Sequence, residues 1–198
     1  RGRNGGGEVS PHGGFHFSHV FTIMLVVLVF LAMVSHSRDD FAVLEGGSAA
    51  PLKNWIGLLG AHFARMSLYL FGVASYPVLL FLSVCFLRPL LAYPLNRKGY
   101  IGSLIAIVLG TTILFAMWPE NFAGLTEYLG IGQASTPYSA LSGGVIGQKL
   151  AAPASSVSCG LITGFIGKLG TLVVALVFLL SGLLSIWFSD WQPVVNTY

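Results

Sequence analysis

The sequence predicts an all-α protein that crosses a membrane several times. Apolar residues make up 55% of the 198 positions and charged residues only 9%, against about 25% charged residues in an average soluble domain. The mean hydropathy is +0.79. So few charges cannot cover so much apolar surface, which excludes a soluble enzyme and a disordered chain. With two cysteines, a disulfide-based scaffold is excluded as well.

Four apolar stretches are long enough to cross a bilayer core about 30 Å thick as helices. The predicted spans are 17–35, 55–88, 100–118 and 160–187. No small-x-small cleavage site follows the first, so it is a span rather than a signal peptide. Pro77 predicts a kink inside the second.

A shorter segment, 141–152, precedes the last span and carries Lys149. Its three glycines are Gly143, Gly144 and Gly147. The segment is too short to cross the membrane. We expect a brief helix on the outer side, lying on the surface or re-entrant.

Charge distribution predicts the orientation of these spans. The basic residues on one side are Arg1, Arg3, Arg88, Arg97 and Lys98. The acidic residues on the other side are Asp39, Asp40, Glu45, Glu120 and Glu127. Excess Lys and Arg near span ends marks the cytoplasmic side. We therefore expect a cytoplasmic, glycine-rich tail at 1–16 and the start of a cytoplasmic linker at 191–198. Because the sequence begins at Arg1 rather than Met, we expect a piece of a longer polypeptide.

Small residues recur at helical spacing in the spans, and they allow helices in lipid to pack closely. At 100° per residue, one face of the last span falls within an arc of about 80°. That face is Gly160, Gly164, Gly167, Thr171, Ala175, Phe178, Gly182 and Ser185. Shorter faces in the second and third spans are Gly57, Ala61, Ala64, Gly72 and Ser75, and Gly99, Ser103, Ala106 and Gly110. The last-span face serves either packing inside one bundle or a homo-oligomer interface.

The helix-packing positions predicted from these faces, the motifs quoted below and the short segment form one set. They are Gly57, Gly60, Ala61, Gly72, Gly143, Gly144, Gly147, Gly160, Gly164, Gly167, Thr171 and Gly182.

No catalytic, metal or cofactor site is predicted. Gly167-Lys168 lacks the preceding glycine and the following Ser/Thr of a phosphate-binding loop, because positions 162 and 169 are Ile and Leu. The predicted topology puts Cys85 and Cys159 on opposite sides of the membrane, too far apart for a disulfide.

Histidines and buried cations carry the remaining candidate chemistry. His12, His16 and His19 have i, i+4, i+7 spacing, but two intervening glycines disfavour a helix there. A haem between His36 and His62 is a less favoured alternative. Arg65 and Lys168 lie inside spans near the outer side. We expect them to snorkel to lipid headgroups, or to pair with Asp39, Asp40 or Glu120.

Four short motifs resemble one family in order and spacing. Asn54–Ala61 reads N-x-x-G-x-x-G-A, and Phe71–Tyr76 looks like F-G-x-x-A-Y. Gly143–Gly147 resembles G-G-x-x-G, and Gly167–Leu172 is similar to G-x-x-G-x-L. Together they resemble the four-helix membrane domain of FtsK/SpoIIIE-type DNA translocases. The chain departs from that family at Arg65, where an Asp is frequent.

The resemblance implies a membrane anchor at the start of a longer protein of the bacterial inner membrane. A linker and a RecA-like ATPase would follow in the cytoplasm and form a hexameric motor that pumps DNA during chromosome segregation at the division septum. The partners implied are the lipid bilayer, further copies of the chain and division proteins. The ATP and DNA sites would lie beyond Tyr198, leaving this segment without cofactor, catalytic residue or nucleic-acid contact. The alternative is a small scaffold subunit of a larger membrane complex.

Overall fold

The computed structural model describes residues 17–46, 50–87, 97–131, 142–153 and 159–188. Within those ranges the secondary structure is entirely helical, which confirms the predicted class. The helices are α1 (Phe17–Val34), α2 (Arg38–Leu44), α3 (Gly57–Phe71), α4 (Ser75–Leu87), α5 (Arg97–Ala116), α6 (Ala123–Tyr128), α7 (Gly144–Ala151) and α8 (Leu161–Phe188). The predicted tail 1–16, the linker 191–198, Arg88, His12 and His16 lie outside the described residues.

Two stretches are long and apolar enough to cross a membrane by themselves, Gly57–Leu87 and Leu161–Ile186. Two further candidates are bent pairs: α1 with α2 at 97°, and α5 with the segment Pro119–Tyr128 at 91°. Counting each bent pair as one span gives up to four. The number of spans supported by the fold is therefore two to four.

Both bends have local causes in the sequence. Ser37 caps α2: its hydroxyl accepts from Asp39 N (3.4 Å), and its backbone N–H donates to Asp40 Oδ2 (3.3 Å). This reciprocal capping starts a new helix after only three intervening residues. At the other bend, Trp118 has non-helical dihedrals and Pro119 begins a 3₁₀ turn. A residue before proline is driven out of the helical region, so α5 ends at Ala116.

The kink predicted at Pro77 lies instead at Gly72. Gly72 has φ 60° and ψ −141°, and a 3₁₀ turn over Gly72–Ala74 separates α3 from α4. Pro77 falls in the first turn of α4. A first-turn N–H has no intrahelical acceptor, so proline costs little there. A positive φ at Gly72 is accessible because glycine has no Cβ.

The core mixes alanines with a few larger aliphatic side chains, while many large apolar residues point outwards. One buried cluster contains Met33, Ala64, Leu68, Val73, Leu129 and Ile131. A second contains Ile113, Ala116, Met117, Ala151 and Ala175. By contrast, Phe165 is 84% exposed and Leu169 is 78% exposed. This arrangement suits a lipid solvent, in which close backbone packing holds the helices together.

The most extensive contact between two helices is the crossing of α5 and α8, and two glycines lie in it. A Cβ at Gly110 would lie 2.7 Å from Leu179 N and 2.8 Å from Ala175 O. A Cβ at Gly182 would lie 2.7 Å from Ser103 O. In each case the obstacle is backbone, which a side-chain rotation cannot clear.

We predict that Gly110→Ala lowers the free energy of unfolding by about 1–3 kcal/mol through overpacking. The matched control is Gly102→Ala on the same helix, where a Cβ meets nothing within 4 Å. The control should be neutral or stabilising, because alanine favours a helix by about 0.5–1 kcal/mol over glycine. Thermal unfolding in detergent measures both, and equal melting temperatures would contradict the proposed role of Gly110.

Candidate functional site

Helix α7 is wedged between α5 and the break in the second span, and its glycines make this possible. Cβ atoms at Gly143 and Gly147 would lie 2.3 Å and 2.4 Å from Thr112 O. Gly144 has φ +65°, and a Cβ there would lie 2.2 Å from Leu70 O. These three sequence-predicted glycines therefore meet other helices within the chain. The expectation of a surface helix is corrected: its glycine face is buried, and Lys149 alone among the four points to solvent or lipid.

Hydrogen bonds tie α7 to its neighbours at both ends. The buried Ser142 hydroxyl donates to Phe115 O (2.8 Å), and Ser142 O accepts from Ala74 N (3.2 Å). At the far end, Gly160 N donates to Ala152 O (3.1 Å). A Cβ at Gly160 would lie 2.4 Å from Ala152 N. The segment thereby joins α5, the α3–α4 break and the start of α8.

The predicted glycines of the second span have different roles. Gly60 and Ala61 are buried, and a Cβ at Gly60 would lie 2.3 Å from Asn54 Oδ1. Gly57 has φ +68° and open space around it. Gly57 and Gly72 therefore serve backbone conformation at the two ends of α3.

The small-residue face of α8 is not continuous. Gly167 has φ 70° and ψ 178°, so the helix is broken there and the residues before and after it lose a common register. Beyond the break, Thr171 and Gly182 are buried. Before it, Gly164 is exposed, and a Cβ there would meet only Cys159 Sγ at 3.7 Å. A Cβ at Gly167 would meet nothing within 4 Å. Gly164 and Gly167 contact no other helix within the described part of the chain.

Two threonines bridge the break in α8. The Thr171 hydroxyl donates to Gly167 O (2.8 Å) and lies 3.2 Å from the Thr163 hydroxyl. Both side chains are buried. The Thr171 hydroxyl thus gives a hydrogen-bond partner to the Gly167 carbonyl, where the helix is irregular. A backbone carbonyl in lipid needs such a partner because no water is present.

One end of the bundle forms a polar cap, defined here as α2, residues 50–56 and residues 119–131. Asp40 is 1% exposed, and its Oδ1 accepts from Lys53 N (2.7 Å). Asn54 is also buried: its Nδ2 donates to Ala32 O (2.7 Å) and its Oδ1 accepts from Ile56 N (3.0 Å). Asn54 therefore joins the last turn of α1, where carbonyls lack helical partners, to the start of α3.

Exposed ion pairs surround this cap. Lys53 pairs with Asp39, and this hydrogen bond lowers the pKa of Asp39 and raises the pKa of Lys53. Arg65 Nη2 lies 2.7 Å from Glu45 Oε1, and its guanidinium lies 5.8 Å from the Phe41 ring centroid. Such exposed pairs contribute little to stability, because water and salt screen them.

The partners of Arg65 and Lys168, the two cations inside predicted spans, differ from those expected from the sequence. Arg65 pairs with Glu45 rather than with Asp39, Asp40 or Glu120. The Lys168 ammonium lies 5.6 Å from the centroid of the Trp118 ring, a cation–π contact between α8 and the bend that follows α5.

Candidate ligands for metals or cofactors do not converge in the described ranges, where no group of three His, Cys, Asp or Glu could hold a metal ion. His62 is exposed, and His36 Nε2 bonds to Leu129 O at 3.1 Å. Cys85 is buried and Cys159 is exposed, both as free thiols. That the chain carries no cofactor stays a prediction.

Asn54 and Ser142 connect separate segments of the fold by hydrogen bonds. Neither is among the helix-packing positions predicted from the sequence. Asn54 opens one of the quoted motifs, so its position in that motif was the available signal. Ser142 carried none, because its importance comes from the turn that precedes α7.

We predict that Asn54→Ala lowers the free energy of unfolding by about 1–3 kcal/mol, because it leaves buried backbone groups without partners. Asn121→Ala, at an exposed position of the same cap, is the control and should change stability little. Thermal unfolding in detergent again compares the two variants. If both variants have the same melting temperature, the hydrogen bonds of Asn54 do not hold α1 to the start of α3.

Comparison with known proteins assigns the family. The family model described as the 4TM region of DNA translocase FtsK/SpoIIIE matches residues 16–197. The DNA translocase FtsK of Shewanella oneidensis is 28% identical over 186 residues, which cover 89% of this chain and 18% of the relative. No solved structure matches the chain.

The matched region contains every described helix, together with Asn54, the α7 glycines and the broken α8. The chain therefore spans about a fifth of its curated relative and is a membrane-embedded, multi-pass segment. On this evidence it belongs to the family of 4TM regions of FtsK/SpoIIIE DNA translocases.

Proposed function

We propose that this segment anchors a DNA translocase in the bacterial inner membrane and holds its copies together during chromosome segregation and cell division. The observation that carries the anchor role is the large number of exposed apolar side chains on the long helices, such as Phe165 and Leu169. That surface suits lipid or further helices. The ATPase motor, and with it ATP and DNA binding, would belong to a part of the polypeptide outside this segment.

We further propose four spans, with both termini in the cytoplasm and the polar cap outside the cell. The bends after α1 and α5 would then lie at the surface of the inner membrane that faces away from the cytoplasm. Arg97 begins α5 at the end opposite to the bend that follows Ala116. On the proposed topology Arg97 and Lys98 would lie at the cytoplasmic side, in keeping with the positive-inside rule.

The orientation can be tested by cysteine accessibility in a background that carries Cys85→Ala and Cys159→Ser. We predict that Asn121→Cys reacts with a membrane-impermeant maleimide in intact spheroplasts. Thr197→Cys should react only after the membrane is permeabilised. The reverse pattern would overturn the proposed orientation.

For oligomerisation, Gly164 is the informative position because it is exposed in the single chain. We predict that Gly164→Leu in the full-length protein reduces the oligomeric fraction seen by native mass spectrometry while leaving the melting temperature unchanged. Gly102→Leu, at another exposed glycine, is the control and should keep the oligomer. An unchanged oligomer in Gly164→Leu would show that this face of α8 is not the interface.

The motor can be tested by the intact mass and sequence of the native polypeptide. We predict a chain several times larger than 21.1 kDa that contains a G-x-x-x-x-G-K-[ST] phosphate-binding loop. A native chain close to 21.1 kDa would instead favour the scaffold subunit of a larger membrane complex.

A further inference from the structure

A histidine joins the two halves of the polar cap. His36 lies at the 97° bend between α1 and α2, and its Nε2 lies 3.1 Å from Leu129 O just after α6. The two residues are 93 positions apart in sequence. Next to this bond, a Cβ at Gly130 would lie 2.7 Å from Arg38 Cγ, so the two segments pack closely.

The geometry fixes which nitrogen of the ring carries the proton. A carbonyl can only accept, so Nε2 must be the N–H that donates to Leu129 O. In the neutral ring, Nδ1 is then a bare acceptor. Nδ1 is buried and has no hydrogen-bond partner among the described residues. The ring packs against Phe41, with centroids 4.8 Å apart.

Protonation would place a charge and a second donor on the buried side of this ring. A buried donor without an acceptor is unfavourable, and a buried charge more so. The carboxylate whose charge acts on the ring already accepts two hydrogen bonds: Asp40 Oδ1 accepts from Lys53 N, and its Oδ2 accepts from Ser37 N. A charged ring is therefore better accommodated by leaving the contact with Leu129.

The cap and the helix α3 beside it carry other charged and titratable groups. They are Arg38, Asp39, Asp40 and Glu45 on or next to α2, Lys53 before α3, Arg65 on α3, Glu120 in the 3₁₀ turn before α6, and Glu127 and Tyr128 on α6. Asp39 and Lys53 pair with each other, as do Glu45 and Arg65. Asp40 is the group whose charge acts on the ring, and it favours protonation.

Burial outweighs that attraction. Desolvation lowers the pKa of His36 below its ordinary 6.5, although the Leu129 hydrogen bond and the Asp40 charge act in the opposite direction. The closed cap thus favours the neutral ring, while an opened, hydrated ring binds a proton near pH 6.5. Stability from this contact is fully present above pH 6.5 and is lost as the pH falls through the lowered pKa.

We propose that the His36–Leu129 contact is a proton-sensitive latch, closed at neutral pH and released by acid, that holds α2 against the end of α6. This inference does not depend on the proposed function. The proposed topology adds only that the latch would respond to the pH outside the cell.

The test measures the distance between α2 and α6 in the full-length protein in lipid nanodiscs. Spin labels are attached at Ala42→Cys and Gly124→Cys, both exposed positions, in the Cys85→Ala, Cys159→Ser background. Dilution with unlabelled protein restricts the signal to one chain. Between about pH 8 and about pH 5, we expect one short distance to give way reversibly to longer ones, with a midpoint below 6.5.

His36→Gln is the matched control, since an amide can still donate to Leu129 O but does not titrate. It should keep the short distance throughout, whereas His36→Ala should show the longer distances even at pH 8. A distance that stays constant with pH in the parent protein would overturn the latch. So would a transition that persists in His36→Gln, because another group would then be the sensor.

A measurement without a variant at the latch covers the case in which these substitutions prevent folding. The ¹⁵N shifts of histidine-labelled parent protein report tautomer and pKa directly. We expect one ring in the Nε2–H form that titrates below 6.5. If every histidine ring is charged at pH 7, or none takes the Nε2–H form, the proposal fails.

Discussion

Inside a bilayer, a backbone N–H or C=O without a partner costs several kcal/mol, since no water is present to replace it. Most of this chain meets the constraint with regular helix, and its irregular points meet it with specific donors and acceptors. Ala74 N at the break in the second span bonds to Ser142 O. Gly167 O at the break in α8 accepts from Thr171. Each irregular backbone group is therefore tolerated because a nearby residue supplies its hydrogen-bond partner.

That dependence explains why small residues collect where they do. For α7 to reach the break between α3 and α4, its backbone must approach other backbones directly, and only glycine leaves the space at 143, 144 and 147. The same holds at Gly110 and Gly182, where α5 and α8 cross. Close approach, rather than burial of large side chains, thus determines how these helices are arranged.

Helical class, approximate spans and the packing role of many glycines could be predicted, because length, hydropathy and spacing are local properties. The break at Gly72 could not be predicted, because Pro77 is the stronger local signal for a kink. The break is where α7 packs against the second span, and that contact is not local in sequence. A regular helix with 100° per residue would place Gly164 and Thr171 on one face. The non-helical backbone at Gly167 lies between them and removes that common face. The glycines of α7 pack against residues 27 to 74 positions away in sequence, a relation that periodicity cannot report.

The polar cap differs from the rest of the molecule in how it is held. The close contacts at Gly110 and Gly182, where α5 and α8 cross, involve backbone atoms and side chains without a titratable group. The cap is held instead by Asp40, Asn54 and His36, whose hydrogen bonds join segments distant in the sequence. Of these three, His36 is the one with an ordinary pKa near neutrality. A change in acidity can therefore alter the cap while the bundle beneath it keeps its structure, which separates anchoring in the membrane from any response at its surface.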